Sequence, residues 1–212
     1  MKATLLLLAT TILVTISCTA NNSRESSVAK IESQELSSYQ VAYFASGCFW
    51  CVEAIFESVK GVKEVVSGYS GGSASDANYK AVSAGITNHA EAVAIYYDPK
   101  IISYETLLVV FFDSHDPTTL NRQGPDWGRQ YRSAIFYSDE SEKIAAKDYI
   151  ASLLRKKAFS TITTEVVELE AFYPAEEYHQ NYKKKNPNDP YIKKVSNPRF
   201  ESFKSKHPEL LK

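Results

Sequence analysis

Cysteine and methionine are nearly missing from this chain, and strong net charge is missing altogether. Three cysteines and one methionine occur in 212 residues, too few for the disulfide framework of a small secreted fold. A net charge of −1 offers no basic footprint, which sets nucleic-acid binding aside. No internal repeat is visible. The four histidines are scattered without zinc-ligand spacing, so no metal site is expected. Long apolar runs are also wanting, with one exception.

That exception is the N-terminus, "MKATLLLLATTILVTISCTANN". Lys2 is a minimal positive region, Ala3 to Ile16 is apolar, and small residues follow. The run is short for a membrane span and reads as an export signal over residues 1–18. "TISC" resembles a bacterial lipobox, whose cleavage leaves a lipid on the cysteine, here Cys18; Thr15 stands where that motif favours Leu. Cleavage after "CTA", discarding Cys18, and an uncleaved anchor are the other two endings. The expectation is an exported, membrane-anchored lipoprotein facing the periplasm or the exterior. Residues 19–38 are polar, rich in Ser, Asn and Glu, and read as a flexible tether.

From residue 39 to 212 the chain reads as one folded domain of about 170 residues, enough for a substantial core. Period-two apolar patterns predict strands at 39–46, 62–72, 89–98, 131–138 and 163–172. Three- and four-residue spacing predicts helices at 48–59, 78–85, 103–115 and 140–156, with a short one near 175–182. Residues 116–130 read as a long loop, and the Pro-containing C-terminus as irregular. This order is mixed α/β: a two-layer sandwich with a mixed sheet and a split βαβ, ferredoxin-like core.

Cys18 belongs to the signal, so the domain holds only Cys48 and Cys51, in "FASGCFWCVEAIFE" (44–57). A two-residue spacer closes too small a loop to staple a fold, which points to redox chemistry. Cys48 follows a strand-ending glycine at a helix start, where backbone N–H groups favour a thiolate. Cys51 lies one turn on along the same face. The bland reading is a buried pair of small hydrophobes. Phe49 and Trp50 are core anchors on that reading, or the walls of a small apolar pocket beside a nucleophile. In "HAEAVAIYY", alternation puts His89, Glu91, Val93 and Ile95 on one face, so Glu91 is a candidate desolvated general acid. Glu53 is a rival acid, about 140° round the helix from Cys48 and expected to point away.

"GCFWCVE" resembles the A-type peptide methionine sulfoxide reductases. The resemblance continues in "GYSGG" (68–72), "NYKAV" (78–82), "NHAEAVAIYYDP" (88–99), "DPTTLNRQGPDWGRQYRSAIFY" (116–137) and "AEEYHQNY" (175–182), in order over most of residues 41–190. It implies reduction of the S epimer of methionine sulfoxide, free or in oxidised proteins, with no bound cofactor and with an external, thioredoxin-like dithiol as reductant. It also implies that Cys48 is the nucleophile, that Phe49 and Trp50 hold the ε-methyl group, and that Glu91 protonates the sulfoxide oxygen. Tyr79 and Tyr131 match tyrosines that bond that oxygen; Asp126 matches a substrate-contacting acid, and His89, in the motif of Glu91, is a further candidate substrate-binding residue.

The expected cycle runs through a Cys48 sulfenic acid and a Cys48–Cys51 disulfide. Many relatives resolve through cysteines in a C-terminal tail, but the tail here has none. Cys51 is therefore the expected internal resolver, and Tyr191 the sole tail tyrosine offered for the site. A monomer is expected. A thioredoxin-type thiol–disulfide oxidoreductase is the alternative, and a tethered binding module with inert cysteines a third reading. Neither gives the Phe-Trp spacer or the acid of "HAE" a task.

Overall fold

Alternating side chains build the sheet. The computed structural model describes residues 36–212. The expected signal, Cys18 and nearly all of the tether lie outside the described residues. Strand β1 (Gln40–Ser46) buries Ala42 and Phe44 on one face and Ala45 on the other. β3 (Ala90–Tyr97) runs antiparallel to it, with Phe44 opposite Val93. β2 (Val62–Ser70) pairs antiparallel with the other side of β3, Tyr69 opposite Glu91. β3 is buried along nearly its whole length, so both of its faces are apolar.

β6 (Ser133–Tyr137) adds to β1, and β7 (Glu165–Glu168) adds parallel to β6. A parallel pair needs a long crossover, and helix α4 (Glu140–Arg155) supplies it. β8 (Phe172–Pro174) pairs with β2 at the far edge, giving the order β7-β6-β1-β3-β2-β8. The stretch 163–172, read as one strand, is thus two, at opposite edges. Only three residues separate them. Such a link reaches roughly 14 Å, whereas six flat strands span about 24 Å. The sheet must therefore be curled, its two edges brought together.

Helices α1 (Phe49–Glu57) and α3 (Tyr104–Asp113) cover one face, and the short α2 (Tyr79–Ser83) falls between β2 and β3 in the chain. α1 buries Phe49, Val52, Ile55 and Phe56, the spacing of an amphipathic helix. α3 opens on Ser103, whose side chain accepts from the Thr106 N–H, and buries Leu107, Leu108 and Phe111. Phe44 meets Phe56 and Phe111, with ring centroids 5.7 and 5.0 Å away. The other face carries a smaller cluster of Ala45, Ala90, Ala92, Ala134 and Phe136. No helix among the described residues is long and apolar enough to cross a membrane.

Two further segments depart from the sequence reading. The long loop contains a tight hairpin, β4 (Arg122–Gln123) with β5 (Asp126–Trp127). The C-terminus is helical: after α5 (Tyr182–Lys185), a wide turn at Ile192–Ser196 runs into α6 (Asn197–Lys206). Pro198 does not break it because it sits in the first turn of α6, where its missing N–H is harmless. Ile192 and Phe203, both fully buried, pin this tail to the body.

Candidate active site

The site begins at a sharp turn. Gly47 has φ +89°, and a Cβ there would lie 2.6 Å from Gln123 Cβ. Only glycine fits, on both counts. The turn sets Cys48 as the residue capping α1, with its sulfur almost buried. The next backbone N–H, that of Phe49, donates to Glu91 Oε2 at 3.0 Å. Glu91 comes from the middle of the sheet and Cys48 from the start of a helix laid over it. That contact joins acid and nucleophile.

Glu91 is 2% exposed. Burial pushes its carboxyl up to about 8, against the opposing Phe49 N–H and with help from Asp126. At neutral pH it holds a proton and can give one away. Tyr79 and Tyr131 are half-buried nearby. Burial, then the charges of Glu91 and Cys48, raise both phenols, Tyr79 to about 12. They stay protonated and serve as hydrogen-bond donors.

The thiol pair corrects one expectation. Cys48 makes no side-chain cap bond, and the first helical N–H is spent on Glu91. Burial and its hydrogen bond to Cys51 push the Cys48 thiol up. The same bond, from the other side, lowers Cys51 to about 6, with Arg199 assisting. The resting pair therefore carries its charge on Cys51, hydrogen-bonded to a protonated Cys48.

Aromatic rings wall the entrance. Trp50 stacks on Tyr182 at 3.6 Å and 7° between planes. Its indole N–H donates to His179 Nδ1 at 3.1 Å, which leaves the imidazole proton on Nε2, an atom without a partner. Phe49 lies against His179 and stacks on Tyr79. Tyr191 presents its edge to Trp50, donates to Asp126 Oδ2 at 2.5 Å, and sits 4.0 Å from Cys51 Sγ. Glu176 braces this wall, accepting from the Tyr79 backbone N–H and from the Tyr69 hydroxyl.

The structure thus gathers Cys48, Phe49, Trp50, Cys51, Tyr79, Glu91, Asp126 and Tyr131. His89 stands apart: its ring is fully buried, with Nε2 against the Ser73 carbonyl and Asp76, where it secures a turn. Glu53 does turn from the sulfurs, accepting from the Asn181 N–H at 2.9 Å, but it is buried and pushed up to about 7. His179, Tyr182, Glu176 and Arg199 were missed by sequence reasoning. Three of them lie in or beside "AEEYHQNY", whose density of aromatic and polar residues was the available signal. Among the described residues, no group of three His, Cys, Asp or Glu is placed to hold a metal.

A buried dithiol at a helix start, facing a protonated carboxyl inside an aromatic pocket, defines a thiol-based oxidoreductase. Comparison with known proteins narrows the class. The family model for peptide methionine sulfoxide reductase matches residues 40–210. Peptide methionine sulfoxide reductase MsrA 2 of Synechocystis sp. is 50% identical over 173 residues, covering 81% of each chain. The MsrA of Nautilia profundicola is 52% identical over 162 residues, 76% of this chain and 92% of that protein. The crystal structure of Mxr1 from Saccharomyces cerevisiae in reduced form aligns with TM-score 0.66 at 34% identity, over 72% of this chain and 88% of that one. The chain belongs to the peptide methionine sulfoxide reductase family.

Proposed function

We propose that this reductase acts on the S epimer of methionine sulfoxide, free and in oxidised exported proteins, through Cys48 and Cys51. The observation that carries the reading is the Phe49 N–H bond to a buried, protonated Glu91 beside the Cys48 sulfur. Attack on a sulfoxide sulfur drives negative charge onto its oxygen. That oxygen leaves the former substrate only if a proton reaches it, and a carboxyl of pKa about 8 has one at neutral pH.

The chemistry then balances. Cys48 passes its proton to the hydrogen-bonded Cys51 thiolate and attacks the sulfoxide sulfur. Glu91 protonates the oxygen, with Tyr79 and Tyr131 donating to it. Oxygen ends on Cys48 as a sulfenic acid and methionine departs. The Cys51 thiol attacks the sulfenic sulfur, forming the Cys48–Cys51 disulfide and one water. An external dithiol of thioredoxin type returns both cysteines to thiols and leaves as a disulfide. Phe49 and Trp50 take the ε-methyl group, which favours aromatic faces.

The decisive assay supplies each epimer of methionine sulfoxide separately to the full chain with dithiothreitol. The reading expects methionine from the S epimer alone; equal yields from both epimers would overturn it. Export and a lipid on Cys18 complete the reading, supported by the apolar run before "TISC" and the polar segment after it. Membrane fractionation tests them: protein found only in the soluble fraction, starting at Asn21, would contradict the anchor.

A further inference from the structure

The turn that carries the nucleophile is held from behind by the tail. Arg199, in the first turn of α6, donates through Nε to the Ser114 carbonyl at 2.7 Å, just past the end of α3. Its Nη2 donates to Ser46 Oγ at 3.2 Å, on the last residue of β1. Its Nη1 is 3.5 Å from where a Cβ on Gly47 would stand. The guanidinium thus sits against Ser46, Gly47 and Cys48, and it lines the same cleft of about 620 Å³ as Cys51. Both of its hydrogen bonds go to uncharged oxygens, so its positive charge is left to act on the groups around it.

Most of those groups are engaged elsewhere or carry no charge. Asp126 in β5 accepts from Tyr191, Asp113 at the end of α3 meets His207, and Asp116 takes the Thr118 hydroxyl. His115 stays neutral, because burial and then Arg199 push its imidazole down to about 3. Glu91 in β3 keeps its proton below about pH 8. Lys183 in α5 also feels Cys51, but burial pushes it down and it lies 3.8 Å over the Phe200 ring. Lys194 and Lys206 line the cleft from its exposed rim, where water and salt screen them. The thiol pair remains. Arg199 favours charge on Cys51, whereas burial and Cys51 itself work against charge on Cys48. Ser196, three residues before Arg199, is buried, and its hydroxyl has no hydrogen-bond partner among the described residues; turned to Cys51, its proton helps hold that charge.

We propose that Arg199 is a positioning residue of the reaction: from the tail helix it clamps the nucleophile turn to α3, and its charge keeps Cys51 the sulfur that receives the Cys48 proton. The proposal deepens the reductase reading above and rests on it for that step. The step conserves charge. Cys48 gives its proton to the Cys51 thiolate, Cys51 becomes a thiol, and the negative charge moves to Cys48 as it attacks. A fixed cation beside Cys51 makes that sulfur the resting place of the charge and extends its service as a base to lower pH. Arg199→Lys keeps the charge and gives up the planar fork, while Arg199→Gln keeps an N–H donor and gives up the charge. The two variants therefore separate the charge from the clamp.

The test uses the full chain in its dithiol form. Thiolate absorbance at about 240 nm, followed from pH 4 to 8, should rise in wild type by one thiolate with a midpoint of about 6. No thiolate below pH 7 overturns the proposal, and this reading stands even if a variant fails to fold. Arg199→Gln should move that midpoint, and with it the acid limb of single-turnover methionine formation, upward by about one pH unit. Arg199→Lys should hold both near wild type. The alkaline limb near pH 8, which belongs to Glu91, should stay in place in all three proteins. A midpoint unmoved in Arg199→Gln, or moved as far in Arg199→Lys, overturns the proposal. Wild type that shows the thiolate but forms no methionine in one turnover faults the reductase reading. Wild type that forms methionine while the Arg199→Gln midpoint stays put faults Arg199 alone.

Discussion

The backbone N–H of Phe49 bonds Glu91 Oε2 at 3.0 Å, and this one contact locks the start of α1 to the centre of β3. A hydrogen bond from an amide favours the charged carboxylate, but here burial outweighs it and the carboxyl stays protonated to about pH 8. The same bond uses the helical N–H that would otherwise have steadied a Cys48 thiolate. The site holds its acid ready, and its nucleophile in reserve beside a ready base.

A bell-shaped pH profile follows. Methionine formation in a single turnover should rise through about pH 6, as Cys51 becomes able to take the Cys48 proton, and fall through about pH 8, as Glu91 loses its own. The fall has a stability counterpart. Glu91 binds its proton more tightly folded than unfolded, so its contribution is complete below about 4.5 and is lost as pH rises through about 8. Thermal melts from pH 5 to 9 should show wild type losing stability on the alkaline side. Glu91→Gln should lose less over the same interval, and equal losses would contradict the assignment.

Cys51→Ser should form one equivalent of methionine, more slowly than wild type because the base that takes the Cys48 proton is gone, and then stall with thioredoxin, since Cys48 is left as a sulfenic acid. Small thiols should rescue part of the turnover by attacking that acid directly. A reductant-free burst followed by thioredoxin-supported cycling at the wild-type rate would remove Cys51 as the resolver.

Tyr182→Ala should weaken substrate binding through Trp50, whose indole it supports at 3.6 Å. An aromatic pair contributes on the order of 0.5–1.5 kcal/mol, so KM should rise about two- to tenfold with kcat little changed. Tyr182→Phe keeps the ring and should behave as wild type. If the Phe variant is as impaired as the Ala variant, the stack is not what matters.

Local pattern made much of this legible, and long-range geometry hid the rest. Alternation in "HAEAVAIYY" placed Glu91 with Val93 and Ile95 on the face that α1 covers, because period two holds in a strand whatever its neighbours. Helical spacing found α1 and α3 for the same reason. The break between β7 and β8 was invisible, since it answers to a curl of the whole sheet and to no local residue. His89 shares the face of Glu91 yet serves a turn, a difference set by Ser73 and Asp76. Tyr191, Tyr182 and Arg199 reach the site only because the tail folds back as helix. The motif resemblance could mark "AEEYHQNY", but not that its His179 and Tyr182 would brace Trp50.

The central claim is that Glu91 delivers the proton that lets the sulfoxide oxygen go. Glu91→Gln keeps the size and an acceptor for the Phe49 N–H but cannot give up a proton. General acid catalysis contributes roughly 10²–10⁴-fold, so single-turnover methionine formation by the full chain, measured by rapid quench, should slow by about that much. Reduction of the preformed Cys48–Cys51 disulfide by thioredoxin should proceed near the wild-type rate. Methionine formation within a few-fold of wild type in Glu91→Gln would contradict the account and hand the proton to Tyr79, Tyr131 or water.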